Sequence, residues 1–107
     1  MLKYLTAVAI SLVFLLASVT GLAQATGADT YKAKCQMCHG ADGLGNTPAG
    51  KAMNAHPFNS PDVLKESDAD LTTIIKGGKN KMPAFSGKLT DAQITDVVGY
   101  LHTLQKK

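Results

Sequence analysis

Two thiols three positions apart, with an imidazole directly behind them, stand at Cys35-Gln36-Met37-Cys38-His39. A C-x-x-C-H run is the attachment pattern of a c-type haem. On a helical turn Cys35 and Cys38 lie on one face, so each thiol can add to a haem vinyl group and leave a thioether. His39 is then held under the iron with little freedom left to lose, and its Nε2 becomes the proximal ligand. Other chemistries use such a pair. A redox disulfide of the thioredoxin kind expects a βαβ setting, and no strand-rich run occurs. A zinc site needs partners, and His56 and His102 do not stand at finger-like spacing. A structural disulfide in an exported domain is a further use of two cysteines.

The ligand on the other side of the iron has to come from further along the chain. Met53 and His56 are candidates in a stretch, Lys51 to Asn59, that has no clear periodicity. Met82 is the third, in Lys81-Met82-Pro83-Ala84-Phe85. A thioether is a soft ligand suited to haem iron opposite histidine. Pro83 restricts Met82 to extended backbone, which presents the sulfur from a rigid loop bounded by Gly78 and Gly87. The competing role for Met82 is that of a core filler. Phe85 is placed to cover a haem edge. Pro48, nine residues after His39, has a carbonyl that can accept the Nδ1–H of His39 and strengthen it as a donor; alternatively Pro48 only punctuates a loop.

The elements that must position these groups read as helices. Thr26 to Cys35 forms a short helix running into the cysteines, with Gly27, Tyr31 and Cys35 on one face. Gly27 lets another helix approach. Gly40 to Gly50 is turn chemistry. Ser60-Pro61-Asp62 reads as an N-cap with proline at the first helical position, opening a short helix through Glu66. Ser67 caps a second, with acids in its first turn and Leu71, Ile74 and Ile75 as its apolar face. Gly77-Gly78 ends it. Thr90-Asp91-Ala92-Gln93 is a capping box for a last helix from about Asp91 to Leu104. Its stripe is Ile94, Val97, Val98, Leu101 and Leu104. This helix is expected to pack on Gly27 and Tyr31, with Gly99 and Tyr100 at the crossing and His102 on the surface. No strand is needed.

Length and charge bound the rest. The 107 residues allow one domain. Residues 1–25 look like a signal peptide: Lys3 supplies the positive end, Tyr4 to Thr20 carries no charge, and Ala23-Gln24-Ala25 is an A-x-A cleavage site. Cleavage after Ala25 leaves residues 26–107 and a periplasmic location. An uncleaved membrane anchor is the alternative, since the apolar run is almost long enough to span a bilayer. The remaining domain is small for a core of side chains alone, so a buried haem would act as its staple and the apo chain is expected to be poorly folded. The net charge of +3 is too weak for nucleic-acid binding. All of the basic residues are lysines.

These residues resemble a small class I cytochrome c of the short bacterial periplasmic kind, similar to soluble photosynthetic and respiratory carriers. The likeness covers essentially all of residues 26–107. It rests on Cys35–His39, Pro48, the run GGKNKMPAF from Gly77 to Phe85, and the Gly27/Tyr31 and Gly99/Tyr100/Leu101 helix pairs. The resemblance implies an all-α fold of three to five helices wrapped around one haem c attached through Cys35 and Cys38. It implies His39 and Met82 as axial ligands and one-electron transfer as the activity, with no small-molecule substrate and no catalysis. The expected partners are redox proteins that meet the haem edge where Lys76, Lys79, Lys81 and Lys88 flank the Met82 loop; acidic docking surfaces would fit them. Nothing suggests more than a monomer. Other readings are a haem sensor or peroxidase-like protein with a weakly held sixth site, a bis-histidine carrier using His56, and the tethered haem module of a membrane oxidase or reductase.

Overall fold

Three of the helices begin at the same device, in which a hydroxyl and a second side chain one turn on each accept from the other residue's backbone N–H. Thr26 and Asp29, Ser67 and Asp70, and Thr90 and Gln93 each form a reciprocal box of this kind. The backbone N–H of Thr26 and the hydroxyl of Ser67 hold the Asp29 and Asp70 carboxyls below the usual carboxylate range. In a computed structural model, which describes residues 26–106, these caps open α1 (Gly27–Lys34), α5 (Asp68–Gly77) and α6 (Asp91–Gln105). Three single-turn helices lie between: α2 (Gln36–His39), α3 (Pro48–Ala52) and α4 (Pro61–Leu64). Among the described residues that is six segments against an expected three to five. The excess arises because α1 and α2 are one helix interrupted at Cys35, whose backbone still bonds to Tyr31 on one side and His39 on the other. The 1–25 leader lies outside the described residues.

The helices α1 and α6 cross, and the crossing is the centre of the core. A side chain at Gly27 would run into the backbone carbonyl of Asp96, so glycine is what brings the two axes together. One turn on, Tyr31 is buried and its ring meets Tyr100 at 5.2 Å. Ile94, Val97, Val98, Leu101 and Leu104 close the apolar stripe, and Leu71 and Ile75 of α5 pack onto it. Gly99 departs from expectation: it is exposed, with open space around it, so it takes no part in the crossing. Ser60 stands at the N-cap of α4 but its hydroxyl makes no capping bond; Pro61 has no N–H to offer, and the turn is held by backbone bonds to the Ser60 carbonyl. Among the described residues strand pairing is limited to two isolated bridges, and no helix is long and apolar enough to cross a membrane.

Candidate haem-attachment site

Cys35, Cys38 and His39 share one helical turn, and that turn is pinned from four directions. The His39 N–H donates to the Cys35 carbonyl at 3.0 Å. The buried Tyr31 hydroxyl donates to the Gly40 carbonyl at 2.6 Å. The Gly45 N–H donates to the His39 carbonyl at 2.8 Å. The Thr47 hydroxyl, 2.6 Å from the Met37 carbonyl and 3.0 Å from that of Cys38, also accepts from the Gly50 N–H at 2.9 Å. Carbonyls at the end of a helix lack intrahelical partners, and here the glycine-rich segment and the start of α3 supply them. The segment after the cysteines is thus a clasp on the backbone of the motif.

Burial then tunes the chemistry of the side chains. It lowers the His39 pKa, which keeps the imidazole neutral, the form that donates a lone pair to a metal. Burial, with a smaller contribution from Cys38, pushes the Cys35 thiol up to about 11; a thiol that resists ionisation is a poor partner for adventitious redox exchange. The two cysteines are not joined to each other. His39 Nδ1 is buried with no hydrogen-bond partner, and the ring stacks on Phe58 at 4.7 Å and 28°. The Pro48 carbonyl therefore does not accept from Nδ1 in this structure. Pro48 is not loop punctuation either: it is the first residue of α3, with Thr47 as its cap, a position where its missing N–H costs nothing.

Met82 lies at the foot of a tight turn. The backbones of Lys79 and Met82 exchange two hydrogen bonds, at 3.2 and 2.9 Å, and Asn80 between them adopts φ 54°, a left-handed conformation that asparagine tolerates better than most residues. Beneath the turn, Gly78 has φ 76° and ψ 170°, a region open essentially to glycine alone. A Cβ there would stand 2.7 Å from the Met82 carbonyl. Met82 itself is half-buried against the core, while Met53 and His56 are exposed. Phe85 belongs to the core and does not sit free at an edge; its N–H donates to the Ile75 carbonyl and docks the loop on α5.

The residues present suit a haem and do not suit a bare ion. Among the described residues no group of three or more His, Cys, Asp or Glu is placed to hold a metal. A neutral histidine with an unpartnered ring nitrogen, beside two unpaired thiols on the same turn, is the donor set of a covalently attached macrocycle. Of the four lysines near Met82, Lys76 is paired with Asp91 at 2.9 Å, Lys81 reaches the Ala52 carbonyl at 3.4 Å, and Lys88 lies over the Phe85 ring at 5.9 Å. His102 is on the surface, as expected, paired with Asp68 at 2.6 Å. Thr47 and Phe58 are the site residues that motif reading passes over. A Thr-Pro step as helix start was the available signal for the first; nothing local announces the second.

Comparison with known proteins agrees with this arrangement. Residues 22–101 match the family model described as cytochrome C oxidase, cbb3-type, subunit III. Cytochrome c6 of Parathermosynechococcus lividus is 35% identical over 81 residues, covering 72% of this chain and 85% of the relative. Cytochrome c6 of Synechococcus elongatus is 38% identical over 78 residues, covering 72% and 85%. The cbb3-type cytochrome c oxidase subunit CcoP of Azospirillum brasilense is 32% identical over 89 residues, which are 81% of this chain but only 30% of that protein. Among solved structures, the KustC0563 c-type cytochrome superposes with a TM-score of 0.69 at 28% identity, over 76% of this chain and 99% of the other. The chain belongs to the cytochrome c family, as an all-α domain that carries a covalently attached c-type haem and transfers electrons through it.

Proposed function

We propose that this domain is a one-electron carrier whose iron is held between His39 and Met82, with Cys35 and Cys38 as the thioether anchors. The bound haem supplies an iron that alternates between ferric and ferrous. The protein does the rest. Cys35 and Cys38 fix the macrocycle to the pinned turn. His39 offers a neutral nitrogen, and Met82 a soft sulfur from a braced loop. Apolar surroundings favour the less charged ferrous form and so raise the potential. The observation that carries the reading is the single clasped turn presenting two unpaired thiols and a neutral, half-buried imidazole. The exposure of Met53 and His56 supports Met82 over either of them. The test is the ferric optical spectrum. A weak charge-transfer band at the red end, reporting iron–thioether bonding, is expected in the parent protein and in Met53→Ala and His56→Ala, and is expected to vanish in Met82→Ala. Its survival in Met82→Ala would remove Met82 from the ligand set.

Electrons leave through redox proteins that dock beside the Met82 loop, and acidic faces fit the lysines there. The pairing of Lys76 with Asp91 cancels much of its reach, so Lys79 carries more of the steering. Reversing Lys79 to glutamate is expected to slow association with an acidic redox partner roughly fivefold at low salt, with the effect fading as salt screens it. Reversing Lys76 is expected to cost less. Equal effects of the two, measured by stopped-flow electron transfer, would show that local pairing does not shape the docking face. The domain acts as a monomer in the periplasm after cleavage behind Ala25. A second reading, the tethered haem module of an oxidase, is favoured by the CcoP likeness; N-terminal sequencing and membrane fractionation of the exported protein separate the two.

A further inference from the structure

The attachment turn stops one residue after His39. Gly40 leaves the helix at φ 81° and ψ 162°, so the carbonyls of Met37 and Cys38 find no backbone partner a turn further on. One hydroxyl meets both. Thr47 Oγ1 lies 2.6 Å from the Met37 carbonyl and 3.0 Å from that of Cys38. A hydroxyl has a single proton to donate, so the two oxygens share it. The same atom accepts from the Gly50 N–H at 2.9 Å, which makes it the cap of α3.

The approach is close because Gly50 has no side chain. A Cβ there would run into the Cys38 carbonyl and would stand 2.6 Å from that of Gly45. Gly45, at φ 70°, in turn donates its N–H to the His39 carbonyl at 2.8 Å. Both peptide planes beside His39 are therefore held from the segment that follows the turn. Thr47 holds the Cys38–His39 plane and Gly45 holds the His39–Gly40 plane. With both planes fixed, the direction of the His39 Cα–Cβ bond is fixed as well. The Thr47 bond is the one of the two that a side chain supplies, so a substitution can remove it.

We infer that Thr47 is a positioning residue for His39: its hydroxyl fixes the Cys38–His39 peptide and so the direction in which the imidazole is offered. This deepens the reading of His39 as an axial ligand and rests on it. Capping of α3 is the competing use of the same atom, and the two uses separate. Holding the turn needs the hydroxyl proton, whereas glycine caps a helix about as well as threonine and donates nothing from a side chain. Thr90 is the matched position. It opens α6 from nearly the same backbone, φ −72° and ψ 160° against φ −75° and ψ 158° at Thr47, and its hydroxyl accepts from Gln93 within its own helix.

The experiment reads the hyperfine-shifted ring signals of His39 by NMR in the ferric haem-loaded protein, with the reduction potential in parallel. The parent protein is expected to give one sharp set of signals. In Thr47→Gly, and in Thr47→Val, which keeps the volume and lacks the hydroxyl, the set is expected to shift and broaden. The potential is expected to rise with it, because a less well-aimed nitrogen donates less to ferric iron. Thr47→Ser should restore the parent values, and Thr90→Gly should leave them in place. His39 signals unchanged in either hydroxyl-free Thr47 variant, or shifted as far by Thr90→Gly, would overturn the inference and leave Thr47 as a helix cap. A Thr47→Ser protein that behaves like Thr47→Val would overturn it too. A parent protein without hyperfine-shifted His39 signals would instead sink the ligand assignment and take this inference with it.

Discussion

Replacing Gly27 with valine is expected to lower the unfolding free energy by roughly 3 kcal/mol, the upper end of overpacking costs in a closed contact. The physical cause is backbone against side chain. The new Cβ would enter the space of the Asp96 carbonyl, and a carbonyl in the middle of α6 cannot rotate aside without breaking its helical bond. The two axes must separate, which loosens Tyr31 against Tyr100 and uncovers Ile94 and Val97, all central to the core. With each kcal/mol worth about 4–8 °C in a domain of this size, the midpoint should fall by about 15 °C. Gly99→Ala is the matched control. It lies in the same helix, exposed and with nothing near its Cβ position, so it should gain roughly 0.5–1 kcal/mol from helix propensity. Thermal melts of the haem-loaded proteins in which both variants shift the same way would show that the crossing is not set by Gly27.

Gly78→Val carries the second large effect, and it falls on the site. The residue holds φ 76° and ψ 170°, and a side chain in that region costs about 1–3 kcal/mol in backbone strain alone. The added Cβ would also stand 2.7 Å from the Met82 carbonyl, 3.1 Å from the Ala84 nitrogen and 3.2 Å from the Pro83 carbonyl carbon. All three atoms belong to the segment that presents the thioether. Relief comes only by pushing Met82 away from the core, so the red-end band should weaken or disappear although Met82 is unchanged. The potential should fall by a fraction of the roughly 0.8 V that axial ligand identity commands. Gly87 has a similar φ, 82°, with open space around it; Gly87→Ala should pay strain and keep the band. A Gly78→Val protein with full band strength would mean that the loop is braced from elsewhere.

What could be read from the chain alone followed the range of the signals. The Cys35–His39 run is contiguous, and so is each capping box, so the attachment chemistry and the starts of α1, α5 and α6 were legible. The meeting of Gly27 and Tyr31 with the last helix was legible too, because glycine in an otherwise helical face has few other purposes. The misplaced readings all needed contacts between distant residues. Pro48, read by spacing as either an acceptor for His39 or loop punctuation, is the first residue of α3, and the His39 Nδ1 has no partner in this structure. Gly99 looked like a crossing residue beside Tyr100, yet helical rotation turns it to solvent. Phe85, read as cover for a haem edge, also joins the core through its backbone bond to Ile75, a contact that no local pattern records. His102 was placed correctly on the surface, but its link to Asp68 spans 34 residues, and no local pattern records it.

The crossing of α1 with α6 also sets an order of events. It joins the first helix of the described chain to the last, Gly27 to Asp96, so closing it brings together positions 69 residues apart (96 − 27). The loop-closure entropy for such a span is about 4 kcal/mol, whereas the bonds of Tyr31 and Thr47 to the motif close loops of only 9 and 10 residues. In a chain that emerges N-terminus first, the cysteine turn and its clasp can therefore form long before α6 exists to bury Tyr31. During that interval the thiols stand on a locally ordered turn with no core behind them. The last helix thus completes the domain and does not start it: both cysteines stay partly exposed with α6 in place, so the order of closure leaves the attachment turn reachable throughout.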